Sequence, residues 1–243
     1  MNSKTSEKSY LKHEKTVDLY EEVWSKGVYR GFSLCTIGAH TTPFLDAFIK
    51  LVKEINKDPA KIIEFGAGSG AHSITLAKEG FTVTAIESSQ TAVSLMKKRM
   101  QNENINLNII DMNIFDYLKT DIRDEFIGIY ANAVLHFLTE TERQKLYKNL
   151  IRIQTQNSIL AVSFKGVGDS LQKIGTLQEH TDAGPIYMGK DKIKRLFVSN
   201  PFPLIQEIQK TGYEHIETLH WVIPDYNIQG EDSVFIGLIA KKP

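Results

Sequence analysis

Residues 61–70 read Lys-Ile-Ile-Glu-Phe-Gly-Ala-Gly-Ser-Gly, and this stretch constrains the fold more than any other in the chain. Ile62, Ile63 and Phe65 make the short apolar run of a buried strand, and a helical pattern begins at Ala71. Between them Gly66, Gly68 and Gly70 stand at alternate positions. They let the backbone turn sharply with positive φ and let a ligand approach where a Cβ would collide. Strand, glycine turn and helix together form a nucleotide-binding crevice at the carboxyl edge of a parallel sheet. Gly66, Gly68 and Ala71 satisfy a loose dinucleotide fingerprint, but that reading leaves Glu64 without a role. A carboxylate at the end of a buried strand is costly unless it is paired or hydrogen-bonded.

The flanking pattern alternates. Strands are expected at 61–65, 81–86, 105–110, 126–130 and 159–164, with helices at 71–79, 89–100 and after Thr139, where Thr139 and Glu142 form a capping box. Such alternation implies a parallel sheet covered on both faces. Strands at 213–222 and 234–240 follow each other with no helix between, which implies an antiparallel pair at the sheet's edge. Ahead of the first strand, Val17, Tyr20 and Trp24 suggest a helix over 11–24, residues 27–38 read as loop, and Thr42-Pro43 opens a second helix that Asp58-Pro59 ends. Residues 165–190 are rich in glycine and polar residues. They are expected to form a long functional loop with room for a short helix.

The second strand ends in Glu87-Ser88, 21 residues after Gly66. A carboxylate there can accept hydrogen bonds from both ribose hydroxyls of a bound nucleotide, whichever nucleotide it is. The third strand ends in Asp111-Met112.

In this order, the apolar-apolar-Glu-apolar-Gly-x-Gly-x-Gly run at 62–70, Glu87, Asp111 and the helixless strand pair resemble the class I S-adenosylmethionine-dependent methyltransferases of small-molecule type. The resemblance covers 60–165 by motif and reaches Ala240 by topology. It implies an α/β, Rossmann-like, seven-stranded sheet, mostly parallel with an antiparallel C-terminal strand and helices on both faces. The whole chain, 1–243, would be one domain: an N-terminal helical lid over 1–60, a cofactor-binding core over 61–165, a substrate loop and helix over 166–212, and the terminal strand pair over 213–243. The implied cofactor is S-adenosyl-L-methionine. Glu64 would meet its methionine amino group, and Gly66, Ala67, Gly68 and Gly70 would pass beneath the methionine and ribose. Glu87 with Ser88 would hold the ribose. Asp111 would accept the adenine amino group, the backbone N–H of Met112 would reach the ring, and Asn132 would border the methyl donor.

His136, in the apolar setting Leu-His-Phe-Leu, is the candidate catalytic base, although a histidine that satisfies a backbone carbonyl would look the same. Methyl transfer from a sulfonium is an in-line displacement that positioning alone can drive, so a base is optional. Tyr29 and Arg30 in the lid, and His180, Asp182 and Tyr187 in the 165–190 region, are the candidate substrate residues. His180 and Asp182 are too few ligands for a metal site, so no metal is expected. The segment after the fourth strand lacks the Asn/Asp-Pro-Pro-aromatic signature of methyltransferases acting on exocyclic or amide nitrogens. With 29 basic and 29 acidic residues there is no basic excess. Both points favour a small-molecule substrate over nucleic acid. The single cysteine, Cys35, rules out an intramolecular disulfide and suggests the cytoplasm. No apolar run approaches the roughly 18–20 residues that cross a bilayer, so no membrane partner is expected. A homodimer is left open.

Two other readings stand beside this one. An NAD(P)-dependent Rossmann oxidoreductase fits the glycines and Glu87, but gives no role to Glu64 or Asp111 and lacks a Tyr-x-x-x-Lys pair after the middle strands. A non-catalytic nucleoside-binding member of the methyltransferase fold, acting through a protein partner, fits the glycines equally well.

Overall fold

The computed structural model describes residues 21, 28–29, 32–33, 42–56, 59–123, 125–225 and 230–243. The expected helix over 11–24, apart from Glu21, lies outside them, as do Arg30 and Cys35. Two short strands, β1 (Val28–Tyr29) and β2 (Phe32–Ser33), pair antiparallel where a plain loop is expected. Helix α1 (Pro43–Ile55) starts as the Thr42-Pro43 sequence dictates: Thr42 Oγ1 accepts the Leu45 N–H at 3.1 Å. The alternating core follows as β3 (Lys61–Phe65), α2 (Ala71–Lys78), β4 (Thr82–Glu87), α3 (Gln90–Glu103), β5 (Asn108–Asp111), α4 (Ile114–Tyr117) and β6 (Phe126–Ala131). After it come α5 (Glu140–Leu150), the long β7 (Gln154–Gly166), α6 (Ser170–Ile174), β8 (Thr176–Thr181), β9 (Gly184–Met188), β10 (Lys194–Val198), α7 (Phe202–Gln209), β11 (Glu214–Pro224) and β12 (Asp232–Lys241). The fifth strand begins at Asn108, later than expected, because the chain first leaves α3 through Asn104 in the left-handed conformation.

Seven strands stand in the order β5-β4-β3-β6-β7-β12-β11. The first five are parallel, and β12 runs antiparallel to both β7 and β11. The sheet nevertheless has ten strands among the described residues, and the extra three change its working edge. β7 runs past the end of β6, whose last pair is Ala131 with Val162. One edge of β7 continues along β12, with Lys165 opposite Phe235. The opposite edge, vacated by β6, takes β10 in parallel, with Phe197 against Lys165 and Val198 against Gly166. β9 and β8 extend outward from β10 as an antiparallel hairpin.

Residues 165–190 are therefore not a long loop but a strand end, a short helix and a hairpin. The expectation failed because β8 is exposed along its whole length. A strand with no buried face carries no alternating apolar signal.

The apolar residues of the sheet divide between its faces. Phe44, Leu45, Phe48 and Val52 of α1 are buried on one, where Phe44 stacks on Trp221 at 5.1 Å and Trp221 on Phe235 at 5.3 Å. Gly237 makes that contact close, since a Cβ there would lie 2.5 Å from Phe44. Leu146, Tyr147, Leu204 and Ile208 of α5 and α7 cover the other face. Between those two helices, buried Arg143 grips Glu207 with both ends of its fork, at 2.8 and 2.6 Å, and donates to the Leu138 carbonyl at 2.7 Å. Among the described residues no helix is long and apolar enough to cross a membrane.

Candidate functional site

The parallel strands all end on one side, where β3 gives way to the glycine turn. Gly66, Gly68 and Gly70 have φ of +69°, +55° and +79°, a region L side chains rarely occupy. The Gly66 and Ala67 N–H groups both donate to the Ile86 carbonyl, at 2.9 and 3.1 Å. Glu87 then clamps the turn. Its Oε2 accepts the Gly68 N–H at 2.8 Å, and its Oε1 accepts the N–H groups of Ser88 and Ser89 at 2.8 and 2.9 Å. Burial raises the Glu87 pKa, and the three backbone donors oppose that rise. A carboxylate offers about four lone-pair sites, so about one remains after these three bonds.

Glu64 is buried at the floor of the crevice. Ser73 Oγ, in the helix after the glycines, donates to its Oε2 at 2.5 Å. Burial pushes its carboxyl up to about 8 despite that hydrogen bond, with the Glu87 charge adding to the rise. His72 Nδ1 stands 3.9 Å from Glu64 Oε1, but burial first, and Arg99 second, hold this imidazole down at about 4. His72 is neutral at pH 7, so among the described residues Glu64 has no cation paired with it.

Asp111, at the exposed end of β5, pairs in register with Glu87 at the end of β4. The neighbouring Met112 corrects an expectation. Its N–H donates to the Glu87 carbonyl at 3.0 Å and closes the strand ladder, so it does not reach for a ring. The next amide along, that of Asn113, is the first beyond the ladder.

β6 ends beside β3, with Glu64 paired to Tyr130, so Asn132 emerges level with Gly66 one strand over. Ser163 of β7 holds it there. Ser163 Oγ lies 2.7 Å from Asn132 Oδ1 and accepts the Ala133 N–H at 2.8 Å, and Ala133 sits at φ +57°. His136 follows in a single 3-10 turn, Leu135–Phe137, buried, with no hydrogen-bond partner for Nδ1 among the described residues. Burial, followed by the charges of Lys165 and Arg195, holds its pKa well below the ordinary histidine value.

Lys165 and Arg195 are the residues the sequence reading missed. Lys165 Nζ donates to Asp169 Oδ2 at 2.8 Å and Ser233 Oγ at 3.1 Å and lies 4.3 Å from the Phe235 ring centre. Arg195 bonds Asp191 at 3.0 and 2.5 Å and spreads over Phe137 at 5.2 Å. Lys165 carries the same signal as Glu87, a charge closing an apolar strand, and could have been found by it. Arg195 could not, because its strand pairing is set by the hairpin.

The remaining substrate candidates separate. Tyr187 stands half-buried on β9 opposite Arg195 and edge-on to Phe197, at 5.8 Å. His180 and Asp182 are exposed, on the outer strand and its turn. Only the backbone of Tyr29 is described, and Arg30 lies outside the described residues. Glu21, from the N-terminal sixty, reaches the start of α3, where its carboxylate accepts from Ser89 Oγ at 2.6 Å and from Thr91. Among the described residues no group of three or more His, Cys, Asp or Glu could hold a metal ion.

Comparison with known proteins points the same way. Residues 62–157 match the family model described as "Methyltransferase domain". The glycine/sarcosine N-methyltransferase of Parasynechococcus marenigrum is 26% identical over 148 residues, covering 60% of this chain and 51% of that protein. The chain spans about half the length of the first curated relatives it matches. The crystal structure of TehB from Haemophilus influenzae aligns with TM-score 0.58 at 17% identity, over 81% of this chain and 62% of that one. A Burkholderia thailandensis 1,6-didemethyltoxoflavin-N1-methyltransferase, solved with its substrate and S-adenosylhomocysteine, aligns with TM-score 0.65 at 13% identity, over 96% and 90%.

Proposed function

The chain belongs to the class I S-adenosylmethionine-dependent methyltransferase superfamily, and from that premise we propose that it transfers a methyl group from S-adenosylmethionine to a small molecule held over the ends of β6 and β7. The observation that carries the donor half is Glu64. It is a carboxyl buried in the crevice floor, beside the glycine turn, with no cation paired to it among the described residues. A primary ammonium suits it, and a dinucleotide has none. When bound, the cofactor supplies a methyl group made electrophilic by the sulfonium charge.

The chain's own residues bind and orient. Glu64 would take the amino group. Glu87 would take a ribose hydroxyl at its open site, and Asp111 an exocyclic amine, with Met112 packed beside it. Each of these carboxylates ends or nearly ends one of three adjacent parallel strands, so the sheet itself sets their spacing.

For the acceptor half the candidate is the neighbourhood of His136, which feels the charges of Lys165 and Arg195, with Tyr187 opposite Arg195 in the β9–β10 register. Burial first, and the neighbouring cations second, disfavour a charged imidazole, so His136 enters as the neutral form, and Nδ1 is an acceptor if the proton sits on Nε2. Because Nδ1 is enclosed, a hydrogen bond from the methyl acceptor's N–H or O–H would require the 3-10 turn to shift, and positioning would be the main source of rate. The neutral overall charge and the small molecules named for the glycine/sarcosine and didemethyltoxoflavin enzymes support a small acceptor here too.

Calorimetry with S-adenosylhomocysteine, and with NADH in a parallel cell, tests the donor half. Micromolar or tighter binding of the first and none of the second is expected. The reverse result would replace the methyl-donor reading with the dinucleotide one. A methyl-transfer assay over a metabolite panel tests the acceptor half, and turnover confined to macromolecules would remove it.

A further inference from the structure

Ser163 is the one polar side chain in the apolar run Ile159–Phe164 of β7, and it is completely buried. A buried hydroxyl in a strand core costs free energy unless both its donor and acceptor capacities are met. Both are met by the loop after β6. Ser163 Oγ accepts the Ala133 N–H at 2.8 Å, so its own proton is directed to its other neighbour, the Asn132 side chain at 2.7 Å. That fixes the amide's orientation, since the atom facing Ser163 must be the oxygen. Nδ2, with its two N–H donors, is left on the side of the amide away from Ser163, and the backbone register puts residue 132 level with Gly66 of the glycine turn.

The loop is held against that turn by two further features. Ala133 adopts φ +57°, a conformation that a residue with a Cβ keeps only when its surroundings impose it. Val134 Cγ2 occupies the space a Gly66 side chain would need, 2.5 Å from that Cβ position. Asn132 is therefore packed level with Gly66, where the amino-acid end of a bound donor would pass.

We infer that Ser163 is a positioning residue for the methyl-donor site: it holds Asn132 as a hydrogen-bond donor, so that Asn132 recognises an acceptor atom, the carboxylate, at the amino-acid end of the cofactor. This rests on the methyl-donor reading above. It also makes a prediction that reading does not: Ser163, on a strand remote from the glycines, should matter for one end of the ligand only.

The test compares two probes in calorimetry on the full chain. S-Adenosylhomocysteine carries the amino-acid end, and 5′-methylthioadenosine is the same nucleoside thioether without it. For Ser163→Ala and Asn132→Asp we expect roughly ten- to hundredfold weaker S-adenosylhomocysteine binding, the effect of losing or inverting a hydrogen bond to a charged group. Methylthioadenosine affinity should hold within about twofold, inside the noise of a single unperturbed contact. Adding Ser163→Ala to Asn132→Ala should cost little more than Asn132→Ala alone, because the serine acts through the asparagine.

Equal weakening of both probes by Ser163→Ala would reduce the serine to a packing role and overturn the inference, as would no change in either. Asn132→Asp, at a half-buried loop position, serves if Ser163→Ala does not fold. Unchanged S-adenosylhomocysteine affinity in that variant is equally fatal. Failure of the unaltered chain to bind either probe would instead remove the methyl-donor reading, and this inference with it.

Discussion

Ser73 Oγ donates to Glu64 Oε2 across 2.5 Å, joining the first helix of the crevice to the strand beneath it. The bond holds the buried carboxyl against the helix that follows the glycine turn, yet does not prevent burial from raising its pKa from 4.5 to about 8. An acid raised in this way holds a proton in the folded chain that the unfolded chain has already released. Between pH 4.5 and 8 the unfolded state therefore binds fewer protons, and stability falls as pH rises. Glu64→Gln removes that titration. Thermal melts should show the variant gaining on the parent between pH 5 and pH 8, with the two closest at the acid end.

The same substitution should remove the partner of a bound ammonium. Calorimetry at pH 7 should show at least about a tenfold loss of S-adenosylhomocysteine affinity for Glu64→Gln, the scale of one charged hydrogen bond. The parent should release a proton on binding as Glu64 ionises, detectable as a dependence of the observed heat on the buffer. Unchanged affinity with no proton release would deny Glu64 the amino group.

Glu87 holds Gly68 and, in the proposed donor site, would also meet the ribose. Glu87→Ala frees three backbone N–H groups. It should weaken adenosine and S-adenosylhomocysteine alike, by about tenfold or more, because the lesion is at the nucleoside end. Selective loss of S-adenosylhomocysteine alone would place the ribose elsewhere.

His136 stays neutral well below pH 6.5. Once an acceptor is in hand, methyl transfer should show no acid limb near pH 6.5 attributable to this residue. His136→Ala should lower turnover by about ten- to a hundredfold, a positioning loss, while S-adenosylhomocysteine binding stays within about twofold. A limb near pH 6.5 that disappears in the variant would make His136 an ordinary titrating base.

The buried Arg143–Glu207 pair joins α5 to α7 and offers a test of what holds the fold together. Arg143→Ala leaves a carboxylate buried without its partner and uncaps the Leu138 carbonyl. Chemical denaturation should report a loss of about 3–5 kcal/mol. A loss under about 1 kcal/mol would mean that water reaches Glu207, as it does for surface pairs.

The sequence by itself placed the residues proposed for the donor half. Glu64, the three glycines, Glu87 and Asp111 are local features of strand ends, and a strand end in an alternating α/β chain has only one place to go. What it could not determine was which capacities remained once the strands paired. Met112 was legible as a residue beside Asp111, but its N–H belongs to Glu87's carbonyl, and only the β4–β5 register says so. The residues proposed for the acceptor half come together only in the tertiary structure, for the same reason. Lys165 and Arg195 face His136 because β7 outruns β6 and offers its vacated edge to β10. Strand pairing is a long-range choice, and residues 165–190 carry no periodic signal of it because their outer strand buries no face. Ser163 sits between the two cases: visible in the sequence as one hydroxyl in an apolar run, and given a purpose only by the loop it meets.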